Sequence, residues 1–167
     1  MGLEAVAVAD AGPLIHLDEL GALDLLALFE RVLIPDIVQH EVVRHRSVFS
    51  LPSTVVCEVR AVDASRVAPR CAHLHAGEVA ALSLCEELGI TLLLTDDLAA
   101  RDAARAFGVT PVGSLGVVLR AARVGIVSVD VAERHLVALS KETTLFTTPA
   151  LMAAALRQLR GGPQKKP

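Results

Sequence analysis

The chain has 167 residues, of which 53% are apolar, 21% charged and 2% aromatic, with a formal net charge of −3 and a mean hydropathy of +0.52. That is about one domain's worth of chain with enough apolar residues for one core, which excludes a disordered protein. No apolar run reaches the roughly 18 residues of a spanning helix, and MGLEAVAVAD lacks the basic start of a secretory signal, so a cytoplasmic protein is expected.

The first strand is read at Ala5 to Ala9, ending on Asp10. Ala11-Gly12-Pro13 makes a tight turn in which Pro13 is placed to open a helix. Leu14 to Phe29 has a helical pattern with a break near Gly21. Val32 to Ile34 is a short strand stopped by Pro35, and a helix follows from Asp36 to about His45. Within residues 46–72 the alternation of Val55, Cys57, Val59 and Ala61 with Val56, Glu58 and Arg60 predicts a half-exposed strand.

Ala76 to Leu88 predicts a helix closed by Gly89. Thr91 to Leu94 is a buried strand that runs into Thr95-Asp96-Asp97. A helix from about Leu98 to Phe107 stops at Gly108, and Val109 to Val112 is the last strand. Ser114 starts the next helix, as its N-cap. Two more helices are expected near 129–141 and 148–159. Residues 1–160 form one domain on this reading, and the GGPQKKP tail, 161–167, has no apolar anchor and is expected to be mobile. Strands alternating with helices at these spacings mean parallel βαβ units in a helix-covered sheet.

The basic residues are thirteen Arg and three Lys, and Arg suits bidentate phosphate contact. Three cysteines, Cys57, Cys71 and Cys85, form no CxxC pair and read as reduced thiols. With no Trp or Tyr and four Phe, an aromatic platform for successive bases is not expected.

In open α/β sheets ligands collect beyond the carboxyl ends of the strands, and two of these strands end in acids, Asp10 and Asp96-Asp97. Either site could be an N-cap, but one helix needs one cap and two acids are adjacent. Glu78 heads the apolar stripe formed by Ala81, Leu82, Cys85 and Leu88. It is either a buried carboxylate that needs a cation or a first-turn residue favoured by the helix dipole. Glu41 lies near the side of Ile37 and Val38, or pairs with Arg44 or His45 on the surface. Carboxylates converging in one cavity repel one another unless a cation is present. Oxygen-only ligands suit Mg²⁺ or Mn²⁺ rather than zinc, and such ions support phosphodiester hydrolysis.

The ordered acids, Asp10 in VADAGPLIHL, Glu41 in PDIVQHEV, Glu78 in HAGEVAALSLCEELG and the pair in TDDLAARDAARAFGV, resemble the PIN-domain nucleases. They are closest to the prokaryotic, VapC-like branch, which carries a Gly-Glu pair at the third acid. The resemblance covers about residues 5–126 and includes GVTPVGSLGVVLRAARVG. It implies a Rossmann-like, three-layer α/β/α fold with a parallel sheet of about five strands. It implies Mg²⁺- or Mn²⁺-dependent endoribonuclease activity, with Asp10, Glu41, Glu78 and Asp97 as the catalytic, metal-binding acids and Asp96 as an outer or alternative ligand. It further implies the toxin of a toxin–antitoxin pair, a homodimer silenced by a small antitoxin protein. The sequence departs from the family pattern in Ala11-Gly12, where a hydroxyl residue often follows the first acid. It also departs in the strand-like VVCEVRAV and in its extended C-terminal helices.

Arg101, Arg105 and Ser114 are candidates for holding the RNA backbone, although Arg101 could instead pair with Asp97 one turn away. Cys71, His73 and His75 lack a fourth ligand for a soft metal, and His40 reads as solvated. Leu14 to Phe29 holds enough large side chains either to cover the sheet or to form a homodimer seam. Two rival functions remain: a PIN-like module that binds RNA or protein without cutting, and a receiver-like signalling domain.

Overall fold

A computed structural model describes residues 5–161. Of the tail expected to be mobile, 161–167, all but the first residue lies outside the described residues, as do residues 1–4. The elements in chain order are β1 (Ala7–Ala9), α1 (Ala11–Glu19), a 3-10 helix (Leu23–Leu28), β2 (Val32–Pro35), α2 (Asp36–His45), β3 (Cys57–Arg60), two short 3-10 turns (Ala64–Arg66 and Ala68–Arg70), α3 (Ala76–Leu88), β4 (Leu92–Leu94), α4 (Leu98–Ala106), β5 (Thr110–Val112), α5 (Ser114–Arg123), α6 (Val129–Lys141) and α7 (Pro149–Arg160). The five strands form one all-parallel sheet in the order β3-β2-β1-β4-β5. A receiver domain has the order 2-1-3-4-5, so the topology excludes that rival.

The side chains of the sheet alternate between two cores, as the two-residue period of a strand requires. Val8, Leu33 and Leu93 face α3 and α4, where they join Leu82, Leu84, Cys85 and Ala104. Ala7, Ala9, Val32, Ile34, Leu92 and Leu94 face the opposite layer of α1, the 3-10 helix, α5, α6 and α7. The fold is therefore a three-layer α/β/α sandwich, as expected.

Gly21, at φ 68, ends the first helix, and the chain resumes as a 3-10 turn that buries Leu23, Leu25, Leu26 and Leu28. Together with Leu14, Leu17 and Phe29, these side chains lie inside the protein's own core. Of the two readings of this stretch, its large side chains follow the one in which they cover the sheet. In the 46–72 segment, β3 pairs along β2 at the edge of the sheet and is largely exposed. Among the described residues, no helix is long and apolar enough to cross a membrane.

Candidate active site

The strand order reverses between β1 and β4, and in such sheets the crevice opens beyond the carboxyl ends of the strands at that switch point. Asp10 follows β1 and Asp96-Asp97 follow Thr95 at the end of β4. The backbone locks these ends in place, with Asp10 N donating to Leu94 O of β4 at 2.9 Å and Thr95 N to Val112 O of β5 at 2.9 Å. A cavity of about 1060 Å³ opens there. It is lined by all five acids singled out in the sequence: Asp10, Glu41, Glu78, Asp96 and Asp97.

Asp10 is 7% exposed and accepts a hydrogen bond from the buried Thr95 hydroxyl at 3.1 Å. Burial above all raises its pKa to about 7, and the charges of Glu78 and Glu41 push the same way, against hydrogen bonds from Ala11 and Thr95. Glu78 is also buried. Its Oε2 accepts from His75 N at 2.9 Å, which caps the start of α3. Glu78 thus both caps its helix and lines the cavity. Its pKa is raised, first by burial and then by Asp97 and Glu41, while the His75 hydrogen bond opposes the shift.

Glu41 approaches from α2. A Cβ on Gly77 would lie 3.0 Å from Glu41 Oε2 and 3.6 Å from Asp10 Oδ1, so the two carboxylates converge over a position that has no side chain. Glu41 does not pair with Arg44 or His45 through its carboxylate; His45 Nδ1 instead meets the Glu41 backbone oxygen at 3.0 Å. Among the described residues, no Lys or Arg forms an ion pair with Asp10, Glu41, Glu78 or Asp97.

The two acids of TDD divide their work. Asp97 caps α4, accepting from Ala100 N at 2.8 Å. Asp96 turns toward α5 and α1. Its Oδ1 accepts from Ser114 N at 2.7 Å, and its Oδ2 meets Ser114 Oγ at 2.5 Å and His16 Nδ1 at 2.8 Å. Gly113 makes room for this contact, since a Cβ there would stand 2.6 Å from Asp96 Oδ1 and 3.1 Å from Arg101 Nη1.

The three residues proposed to hold RNA end up in different places. Arg101 lines the cavity and donates to Thr95 O at 3.1 Å rather than pairing with Asp97. Ser114 is fully buried and its hydroxyl is engaged by Asp96; it is the first residue of α5, with Gly113 as the N-cap. Arg105 is absent from the cavity lining and pairs with Asp102 at 2.8 Å. His40 is exposed, and no group of three His, Cys, Asp or Glu among the described residues stands close enough to hold a metal by itself.

Sequence reasoning missed His16, Thr95 and the contribution of residues 144–158 to the cavity wall. Only the i, i+4 spacing of Gly12 and His16 on the face behind Asp10 could have drawn attention to the histidine.

A family model described as a PIN domain (DUF3368) matches residues 6–161. No curated protein and no solved structure matches the chain. PIN domains are generally nucleases that act on nucleic acid and typically use divalent metals. With nearly its whole length matched and acids gathered where a three-layer parallel sheet presents its ligand crevice, the chain belongs to the PIN-domain family.

Proposed function

We propose that this PIN domain is a divalent-metal-dependent endoribonuclease that hydrolyses RNA phosphodiester bonds. One observation carries the reading: Asp10, Glu41, Glu78 and Asp97 come from four separate segments to one cavity, with no basic side chain paired to them among the described residues. Such a ring repels itself, and the pKa of Asp10 is raised above all by its burial and further by the charges of Glu78 and Glu41. A bound cation relieves both.

The donor set fits Mg²⁺ or Mn²⁺. Every candidate ligand is a carboxylate oxygen, which disfavours zinc, and Mg²⁺ keeps several waters while taking only one or two carboxylates. One or two of Asp10, Glu41, Glu78 and Asp97 would hold the ion directly and the others through its waters, with Asp96 as an outer ligand. When bound, the metal activates water and stabilises the leaving oxygen.

The chain's own groups prepare that chemistry. Thr95 orients the Asp10 carboxylate, and the His75 backbone N–H orients that of Glu78. Asp96, through Ser114 and His16, ties the starts of α4 and α5 to α1, which fixes the rim of the cavity. Arg101 supplies positive charge beside the acids for a substrate phosphate. The motif resemblance supports the rest of the reading: residues 1–160 as a single toxin domain in the cytoplasm, dimeric, and silenced by a small antitoxin.

The test is cleavage of a mixed, structured RNA in Mg²⁺ or Mn²⁺, beside an EDTA control and Asp10→Asn. We expect metal-dependent cutting that falls in the variant by more than the roughly 10- to 100-fold typical of an outer-shell partner. RNA bound but never cut, in any metal, would reject the nuclease in favour of a binding module. Growth arrest on induction of the wild type but not of the variant would support the toxin role.

A further inference from the structure

Three large apolar side chains that the fold leaves in water line the same cavity as the acids: Leu98 (76% exposed), Phe146 (86%) and Leu151 (50%). They come from the first turn of α4, the α6–α7 connection and α7. The connection that carries Phe146 is pinned on both sides of the ring. Thr144 N and Oγ1 donate to the Glu19 carboxylate at 2.8 and 2.9 Å. Thr143 Oγ1 donates to Leu139 O at 2.6 Å, and Thr147 Oγ1 donates to Ser140 Oγ at 2.9 Å. An apolar ring held this way gains nothing from burial in its own fold, and its plane stays available to a flat ligand.

α5 contributes to the wall of the cavity. Its first residue, Ser114, is bonded to Asp96. Leu115, Gly116, Leu119 and Arg120 line the cavity farther along, with Arg120 about 9 Å from Ser114 along the helix axis. Arg101 lines the same cavity as the carboxylates and the exposed apolar side chains. Acids for a metal-bound phosphodiester, an arginine for the backbone and an aromatic face for a base make up the chemistry of a nucleotide chain.

We propose that Phe146, together with Leu98 and Leu151, stacks on an unpaired nucleobase next to the phosphodiester held at the carboxylates. Phe146 is then a specificity-determining residue for single-stranded nucleic acid. The inference rests on the nuclease reading for what the carboxylates hold. It also refines the expectation drawn from composition: a platform for successive bases needs several aromatics, whereas one base needs one.

Phe146→Trp introduces a single tryptophan into a chain that has none, so its emission reports on this site. In an Asp10→Asn background, which stops turnover, single-stranded oligoadenylate should quench that emission, and the same oligonucleotide made abasic should not. In the otherwise native protein, Phe146→Ala should raise KM for single-stranded RNA by roughly 5- to 150-fold, the range of one base–aromatic stack. Its kcat should be unchanged, and Phe146→Tyr should restore the native KM. Equal quenching by the abasic strand, no quenching by either strand, or a native KM in Phe146→Ala overturns the proposal. Quenching by a leucine-rich amphipathic peptide but by neither oligonucleotide overturns it in favour of a protein-docking wall. Base-dependent quenching in a protein that cuts no RNA would keep the base site and reject the nuclease; normal cutting without such quenching would do the reverse.

Discussion

β1 and β4 are neighbours in the sheet, yet the acids at their ends live under opposite conditions. Asp96, after β4, receives three donors from Ser114 and His16, and its oxygens are engaged inside the protein. Asp10, after β1, has hydrogen bonds from Ala11 and Thr95 but faces Glu41 and Glu78 without an ion-paired base, and burial holds its pKa near 7. One acid fastens three helices together, and the other is kept short of solvation. The lesson is that position at a strand end does not set the role of a carboxylate; the donors that other elements bring to it do.

The largest expected effect tests the Asp10 side of this contrast. An acid whose pKa rises on folding from 3.8 to about 7 is protonated in the folded chain while ionised in the unfolded one. Its cost to stability is absent below pH 3.8, builds as pH rises, and is complete above about pH 7, at up to about 4 kcal/mol. Metal-free protein should therefore melt lower at pH 8 than at pH 5, Asp10→Asn should flatten that difference, and Mg²⁺ should restore the native protein at pH 8. Identical pH profiles for native and variant proteins would remove the contrast altogether.

Next in size is Gly113→Ala, on the Asp96 side. Its backbone, at φ −88 and ψ 175, accepts any residue, so the penalty is purely the clash with Asp96 and Arg101. A loss of about 1–3 kcal/mol is expected in urea unfolding; native stability would mean that the Asp96 cluster gives way easily. Ser114→Ala removes one bond to Asp96 and leaves two, which predicts a loss of about 1–2 kcal/mol and cleavage reduced only a few-fold. Native stability with cleavage abolished would instead place the Ser114 hydroxyl on the substrate. Smallest is Arg105→Ala, in an exposed pair with Asp102. It should shift stability by less than about 0.5 kcal/mol and leave RNA affinity unchanged in a filter-binding titration; a clear drop in affinity would extend the RNA path beyond the cavity.

Much of the molecule could be read from short-range pattern. Strand and helix succession, the break at Gly21, the α3 helix ending at Gly89 and the edge strand around Cys57 follow from alternation, periodicity and punctuation, which act within a few residues. The acids that line the cavity were legible too, because a carboxylate at the head of an apolar stripe or doubled after a strand conflicts with its neighbours in the chain itself. Ser114 illustrates the opposite case: nothing near it in the chain shows that its hydroxyl is engaged by Asp96.

The Asp96 cluster depends on partners 18 and 80 residues away, Ser114 and His16, and no local rule brings such groups together. Whether Leu14 to Phe29 would face a partner or its own sheet was undecidable from hydrophobicity, which has no direction; only the packing of α5 and α6 over that stretch settles it. The same holds for Phe146, an ordinary apolar residue in the sequence that becomes notable because threonine side chains hold its segment beside the acids. Short-range chemistry determined the elements and the acids that do not belong in a core. The three-dimensional arrangement decided which of those acids has its oxygens hydrogen-bonded from within, because solvation and pairing are properties of the assembled surroundings.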